Sequence, residues 1–198
     1  MITKFNDFDK TQAYTETKQL PRGGYVCRIA GAKVEPSRDG GQYIKIAFDI
    51  EEGEYKGFFQ GKFDQNTNED KKWPGVYSLN VPKDDGSERD SWTKRRFKTF
   101  TNALEDSNEG YHFDWDETKF KGKLVGFVFN YREYSFNGIN GMTPNVANVT
   151  SVDKVRAGEY KVPADRLLKE RPAAETAEFV RDMNKFVNNT AEEEEIPF

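Results

Sequence analysis

Cationic and aromatic side chains are interspersed in three parts of this 198-residue chain, at residues 28–62, 71–77 and 131–136. Such mixtures bind single-stranded nucleic acid, because cations attract the phosphates and each base stacked on a ring contributes about 1–3 kcal/mol. The pattern therefore predicts a surface that binds single-stranded nucleic acid with weak sequence preference. The candidate DNA-binding residues are Arg28, Lys33, Arg38, Tyr43, Lys45, Phe58, Lys62, Lys71, Trp73, Tyr131, Arg132, Tyr134 and Phe136.

Each of these residues also has a simpler interpretation. Large aromatic side chains most often lie in a protein core, and lysines most often lie on a solvated surface. The four cations within residues 94–98 are assigned to the solvated face of a helix, because Phe97, Phe100 and Leu104 form its apolar stripe. The prediction of a DNA-binding surface therefore rests on the collective pattern and not on any single residue.

The last seven residues form a second pattern, in which four consecutive glutamates precede an apolar end. Like charges in sequence repel each other and keep a segment extended, and proline blocks helix formation. The apolar end can enter a pocket of a partner protein while the carboxylates contact its basic rim. The candidate partner-binding residues are Glu192, Glu193, Glu194, Glu195, Ile196, Pro197 and Phe198. The alternative is an acidic tail that only increases solubility.

The distribution of charge divides the chain into two parts. The chain contains 30 lysines and arginines and 34 aspartates and glutamates, which gives a net charge of −4. Because four of those acids are Glu192–Glu195 and no cation follows Lys185, residues 1–191 are neutral overall. DNA binding by this neutral part has to depend on local clusters of cations and on stacking.

Few residues are available for catalysis or metal binding. One histidine and one cysteine exclude most zinc sites and Cys–His nucleophilic pairs. His112, Asp114, Asp116 and Glu117 are interpreted as a polar surface turn rather than a metal site. Other acidic pairs lie in turn-like segments and suggest no general acid–base pair. The sequence thus predicts no catalytic residue, no metal and no cofactor.

The sequence also predicts where the chain is found. No run of about 18 apolar residues occurs, so no membrane span and no membrane partner are expected. The first ten residues lack the apolar stretch of a signal peptide, and the single Cys27 cannot form an internal disulfide. These observations favour a reducing cytoplasm.

A mainly β fold has to position the candidate residues. Period-2 alternation predicts strands, most clearly where Ile44, Ile46 and Phe48 alternate with other side chains. Strands are predicted at residues 25–34, 42–51, 55–63, 123–136 and 143–155, and a helix at 92–107. This order predicts a five-stranded OB-fold, a Greek-key barrel with a helix between strands three and four. Other small α+β barrels would fit the same order.

The chain is predicted to contain four parts. Residues 1–19 form an N-terminal arm, and residues 20–160 form the OB-fold DNA-binding domain. Within that domain, residues 64–90 are predicted as an inserted loop with room for a short hairpin. Residues 161–187 form a C-terminal helical segment, and residues 188–198 form a disordered acidic tail for protein interaction.

The end of the chain, Glu-Glu-Glu-Glu-Ile-Pro-Phe, resembles the acidic tip of bacterial single-stranded DNA-binding proteins, and phage proteins of this kind carry similar tails. The body is similar to phage replication-associated proteins over about residues 20–160, chiefly at Leu20–Tyr25 and Gln42–Ile50. The chain departs from the bacterial family in its 64–90 insertion and in having no Gly/Gln-rich linker before the tip. Because of these departures, the resemblance does not imply a homotetramer. A homo-oligomer is still compatible with the sequence.

The resemblance implies a non-enzymatic protein that coats and protects transient single strands during phage DNA replication, recombination and repair. It also implies that the tip recruits replication or recombination proteins, such as a polymerase, a helicase or primase, or a recombinase, in the cytoplasm of the host bacterium. The alternative is a recombination mediator or adaptor whose barrel binds a protein rather than DNA. A nuclease would need a cluster of carboxylates, which the sequence does not reveal.

Overall fold

A computed structural model describes residues 3–6, 8–9, 19–136 and 139–168. The strands are β1 (Gly23–Pro36), β2 (Gln42–Ile50), β3 (Val76–Asn80), β4 (Leu124–Phe136) and β5 (Ile139–Thr150). The helices are α1 (Phe58–Gln65), α2 (Glu88–Asp106), α3 (Val152–Ala157) and a short 3-10 helix, Glu117–Phe120.

The chain divides into a unit that ends at Arg166 and a second unit from Leu167 onward. The structure describes two residues of the second unit, Leu167 and Leu168. The predicted acidic tail, most of the predicted C-terminal helical segment and much of the predicted N-terminal arm lie outside the described residues. No helix among the described residues is long and apolar enough to cross a membrane.

The five strands form one antiparallel sheet in the order β3-β2-β1-β4-β5. The long strand β1 joins its two halves, since Pro36 pairs with Gln42 of β2 and Gly23 pairs with Phe129 of β4. This order leaves β3 and β5 as the two edges of the sheet. The predicted fold class is confirmed: the described residues form a mainly β, OB-like fold with its longest helix between the third and fourth strands.

Apolar side chains of the strands and of α2 meet in one core. Ile44, Ile46 and Phe48 of β2 are buried, and the side chains between them lie on the other face of the sheet. Phe100 and Leu104 of α2 are fully buried against the strands. Burial of each such side chain contributes about 1.5–3 kcal/mol, so this core holds the sheet edges in fixed positions.

Strand β4 is buried on both faces over its first half. Phe127 and Phe129 lie in the core, and Val128 is also buried although it points to the opposite face. Helix α3 covers that second face, where a Cβ placed on Gly126 would be 2.6 Å from Val155. This double burial explains why the sequence of β4 does not alternate.

The predicted strand at 55–63 is wrong, because these residues form a turn and helix α1. Gly57 has a left-handed φ of 72° immediately before the helix. The Asp49 carboxylate in β2 accepts hydrogen bonds from the backbone N–H groups of Phe59 and Gln60, at 2.9 and 3.0 Å. These bonds satisfy the first turn of α1. Because the carboxylate that satisfies this turn belongs to β2, the local sequence contains no signal for the start of α1.

The third strand is β3, which lies inside the segment predicted as a loop at 64–90. Tyr77 and Leu79 are buried and alternate with exposed Ser78 and Asn80. Five residues are too few for this alternation to stand out among polar neighbours. The proposed division of the chain into arm, domain, helical segment and tail stays a prediction.

Two element boundaries also differ from the prediction. Helix α2 begins at Glu88, before the predicted start at residue 92, because the Ser87 hydroxyl caps it by accepting a hydrogen bond from the backbone N–H of Asp90 at 3.0 Å. Strand β5 ends at Thr150, before the predicted boundary, because Ser151 is the first flanking residue of α3.

Candidate nucleic-acid interface

A groove of about 610 Å³ lies between the two edge strands of the sheet. Consecutive residues line it on both sides, Val76–Ser78 of β3 and Thr143–Asn148 of β5. Side chains of a strand alternate between its faces, so consecutive lining residues mean that the groove follows the strand edges. We call it the seam groove, because it occupies the open seam of a partly closed barrel.

Three arginines from separate parts of the chain line the seam groove: Arg96 of α2, Arg132 of β4 and Arg166. None of the described residues that line it is an aspartate or a glutamate. Arg132 and Arg166 form a parallel β-bridge, which places two cations side by side. Like charges in such positions destabilise a sheet, and a bound anion would relieve that cost. The groove is therefore suited to a phosphate backbone.

The floor of the seam groove is apolar. Phe48 and Phe129 are almost completely buried there, so their rings belong to the core and cannot stack with bases. Beside them, the Asn145 amide donates to Oδ1 of Asn130 at 2.9 Å, and the Asn130 amide donates to the carbonyl of Ala164 at 2.7 Å. The first bond joins β5 to β4, and the second joins β4 to the segment that follows α3.

Arg166 is positioned by the segment that follows α3. Asp165 accepts two hydrogen bonds from Arg22, at 2.9 and 2.5 Å, and one from the backbone N–H of Tyr131 at 3.0 Å. The bonds from Arg22, followed by the Tyr131 N–H, lower the pKa of Asp165 to about 2. The backbone of Arg166 donates to Tyr131 at 2.8 Å and accepts from Glu133 at 2.9 Å. We call the ion pair between Arg22 and Asp165 the Arg22–Asp165 clasp. Together with the bonds to β4, it fixes the backbone that carries Arg166.

Of the predicted DNA-binding residues, all of which are described, Arg132 alone lines the seam groove. Tyr134 and Phe136 follow it on the same face of β4 and are 41% and 70% exposed. Tyr131 has a structural role instead: its ring centroid lies 4.5 Å from the Arg22 guanidinium, and its hydroxyl donates to a backbone carbonyl at 2.9 Å. The β4 cluster therefore offers one cation and two rings.

A second cluster of predicted residues lies on the outer face of β1 and β2. Lys33 of β1 pairs with Lys45 of β2, and Glu35 pairs with Tyr43. Glu35 accepts a hydrogen bond from the Tyr43 hydroxyl at 2.7 Å, and both lysine Nζ atoms lie within 3.9 Å of its other oxygen. The Tyr43 hydrogen bond, then the two lysines, lower the pKa of Glu35. Its carboxylate partly neutralises these cations.

The third cluster, at α1, contains Phe58, Lys62, Lys71 and Trp73. The Nζ atom of Lys62 lies 4.7 Å from the Phe58 ring centroid, and burial lowers the pKa of this lysine. The Nζ atom of Lys71 lies 4.5 Å from the ring centroid of Phe63, which also contacts Trp73. The Trp73 indole donates to a backbone carbonyl of β2 at 3.0 Å. Rings and cations of this cluster thus contact each other.

Arg28 and Arg38 lie apart from the three clusters. The Arg28 guanidinium donates to Glu51 at 2.9 Å and to the carbonyl of Gly122 at 2.8 Å, so it stabilises the fold. Arg38 is exposed in the loop between β1 and β2. The predicted residues therefore form three clusters and two single positions rather than one continuous surface.

The acidic turn near His112 contains ion pairs. Lys119 pairs with Asp114 and, at 3.9 Å, with Asp116. The described part of the chain contains no group of three or more His, Cys, Asp and Glu side chains that could hold a metal ion. That the protein has no metal, cofactor or catalytic residue stays a prediction.

No protein-family model matches the chain, and no curated protein matches it. Among solved structures, the chain is similar to one described as yeast RPA bound to ssDNA, with 11% sequence identity and a TM-score of 0.28. The similarity covers 89% of this chain and 93% of that chain. At this TM-score the likeness supports no inference about what this chain binds.

Two of the three groove arginines are not predicted from the sequence. Arg96 has charged neighbours on α2, which favour assignment to a solvated helix face. Arg166 follows a stretch with no alternation and falls in the predicted helical segment. The clasp that positions it joins Arg22 and Asp165 across 143 residues of sequence, so no local pattern connects them.

Proposed function

We propose that this chain is a non-enzymatic protein that binds single-stranded DNA in the seam groove. The observation that carries the proposal is the convergence of Arg96, Arg132 and Arg166 on a groove with no carboxylate among its described lining residues. Residues 1–191 have no net charge, so three clustered cations are a local feature and not an average property of the surface. Guanidinium groups bind phosphates through strong, charge-assisted hydrogen bonds.

Exposed rings favour a single strand over a duplex. Tyr134 and Phe136 continue from Arg132 along one face of β4. The bases of a duplex are stacked on each other, whereas bases of a single strand can stack on these rings at about 1–3 kcal/mol each. Stacking accepts every base, so the proposed binding has weak sequence preference.

Within this proposal, the protein coats and protects transient single strands during phage DNA replication, recombination and repair. The tail, Glu192–Phe198, recruits a polymerase, a helicase or primase, or a recombinase in the host bacterial cytoplasm. The support for these roles is the acidic tail with its apolar end, together with the resemblance of tip and body to single-stranded DNA-binding and phage replication proteins.

Titration of labelled oligo(dT) with the full-length protein tests DNA binding. We expect binding at low salt that weakens as salt rises, because phosphate contacts release counterions, and we expect weaker binding to a duplex of the same length. Absence of binding to oligo(dT) at low salt would refute the proposal. Equal affinity for the duplex would contradict the role assigned to the exposed rings.

A chain that ends at Ala191 tests the tail. We expect it to bind oligo(dT) at least as tightly as the full-length protein, because removal of four carboxylates reduces repulsion of the phosphates. We also expect it to lose its polymerase, helicase or recombinase partner in a pull-down. Retention of that partner by the shortened chain would contradict recruitment through the tail.

One observation favours a second candidate function, an adaptor or recombination mediator that binds a protein. Both walls of the seam groove are strand edges, and an edge strand can pair with an added extended peptide. In that case a partner would stay bound to the body after deletion of residues 192–198, and oligo(dT) would not bind. Because no aspartate or glutamate lies among the described residues that line the groove, we favour DNA over most peptides as its ligand.

A further inference from the structure

An exposed tryptophan stands at one end of the seam groove. A small depression of about 20 Å³ adjoins the groove along the edge of β3 and shares Tyr77, Ser78 and Arg96 with it. Asn80, at the end of β3, and Trp92 of α2 also line this depression. Trp92 is 53% exposed. The groove therefore continues along β3 to an indole ring that is open to solvent.

Arg96 connects this ring to the groove. Trp92 and Arg96 are four residues apart on α2, a spacing at which helical side chains contact each other. The Cζ atom of Arg96 lies 4.8 Å from the Trp92 ring centroid, and its Nη2 atom donates to the Tyr77 hydroxyl at 3.2 Å. The guanidinium is thus held between the indole and the groove wall, while more than half of the tryptophan surface remains exposed.

The backbone of β3 presents polar groups along the same path. Gly75 and Val81 flank β3, and each forms a 2.9 Å backbone hydrogen bond with a residue of β2. Because backbone groups of an antiparallel strand alternate in direction, the N–H and C=O groups of Ser78 and Asn80 point away from β2. Both residues are exposed. Bases or sugars that follow this edge would find hydrogen-bonding partners up to Trp92.

We propose that Trp92 stacks on a base of the bound strand at the end of the seam groove. The strand then follows the edge of β3 from Val76 to Asn80 and leaves over the N-terminal half of α2. Arg96 contacts a phosphate and covers part of the indole, which orients the ring. This inference rests on the proposed function and adds a contact on a helix face that the sequence assigns to solvent.

Trp115 provides a matched control for Trp92. It is 79% exposed, and it lies against Phe97 and Phe113 at a different groove. Its ring centroid is 6.0 Å from that of Phe97, and it does not line the seam groove. Substitution of Trp115 removes a second exposed tryptophan without changing a residue on the proposed path.

The first experiment measures binding of oligo(dT) of about 4, 8 and 16 nucleotides, which cover the site sizes of one OB-fold, to the full-length protein. We expect Trp92→Ala to weaken binding of the longer oligonucleotides by about 5- to 150-fold, the effect of losing one stacked base. The shortest oligonucleotide should lose less, because it can occupy the arginines without reaching Trp92. Trp115→Ala should leave all three affinities unchanged.

The second experiment uses Trp92→Phe, which keeps a ring at this position and preserves the fold if the alanine variant does not. We expect oligo(dT) to quench the tryptophan fluorescence of the unchanged protein and of Trp115→Phe. Trp92→Phe should bind oligo(dT) but lose most of the quenching. Quenching in Trp92→Phe equal to that of the unchanged protein would overturn the inference.

The outcomes separate this inference from the proposed function. If the Trp92 variants bind every oligonucleotide as the unchanged protein does, while Arg166→Ala loses affinity, the stacking contact is refuted and DNA binding in the seam groove stands. If the unchanged protein binds no oligo(dT), the proposed function fails and the stacking contact fails with it.

Discussion

Removal of one guanidinium from the seam groove should reduce both the affinity for single-stranded DNA and its dependence on salt. Arg166→Ala removes one of the three arginines that line the groove. The backbone of Arg166 is held by Tyr131 and Glu133, and Asp165 is held by Arg22. The substitution therefore removes a charge without releasing the segment that carries it.

The magnitude follows from the number and the exposure of the cations. Each phosphate contact to a single strand contributes about −0.7 to the slope of log affinity against log salt. Three arginines that each bind one phosphate contribute about −2, and Arg166→Ala should make the slope shallower by about 0.7. Because Arg166 is exposed, we expect a loss of about 1 kcal/mol of binding free energy, or about fivefold in affinity.

Anisotropy titrations of labelled oligo(dT) between about 50 and 200 mM salt measure this slope. Arg28→Ala is the matched control, because Arg28 is predicted from the sequence to bind DNA but is held by Glu51 and the carbonyl of Gly122. We expect Arg28→Ala to leave the slope unchanged. Equal changes of slope in the two variants would refute the seam groove as the site, since a diffuse positive surface predicts that result.

Other substitutions test how the fold holds the groove. Asp165→Asn should lower stability at neutral pH. In the folded protein the pKa of Asp165 is about 2, below its ordinary value of 3.8. The contribution of its carboxylate to stability is therefore present above about pH 4 and is lost as the pH falls through 2. If the difference in urea midpoint between the unchanged protein and Asp165→Asn does not shrink toward pH 2, this reasoning is contradicted. Gly75→Ala should destabilise the protein by about 1–3 kcal/mol, because its Cβ would lie 2.3 Å from the Phe48 carbonyl oxygen. Gly61→Ala in α1 should stabilise the protein by up to about 1 kcal/mol, because a Cβ at this position would have no heavy atom within 4 Å. Thermal melts in which the two glycine variants shift the melting temperature alike would contradict the close packing at Gly75.

The parts of the fold that could be predicted from the sequence are those whose physical cause is local. Strand β2 has one face in the core and one face in solvent, so its buried residues Ile44 and Ile46 alternate visibly with the rest. Helix α1 is missed because its first turn is satisfied by Asp49 of β2. That cap exists only after β2 and α1 have come together, and aromatic residues at the start of α1 favour strand locally.

The candidate site divides in the same way. Arg132, Tyr134 and Phe136 belong to one strand, and period-2 spacing places them on one face. Arg166 is brought to the groove by contacts between residues distant in sequence, since its backbone pairs with β4 and the neighbouring Asp165 binds Arg22. The groove itself arises from the positions of the two edge strands, and the sequence does not show where those edges lie relative to each other.

Residues 1–191 can bind DNA although they have no net charge, because their cations and carboxylates are distributed unevenly over the described surface. Lys33 and Lys45 lie beside the carboxylate of Glu35, and Arg28 is bound to Glu51, whereas the described lining of the seam groove contains three arginines and no acid. The dependence of affinity on salt should therefore be shallow, near the slope of about −2 that the groove arginines set. The remaining affinity has to come from stacking on exposed rings, which salt does not screen. A slope of log affinity against log salt much steeper than about −2 would instead require that cations in ion pairs outside the groove leave their carboxylates and bind phosphate.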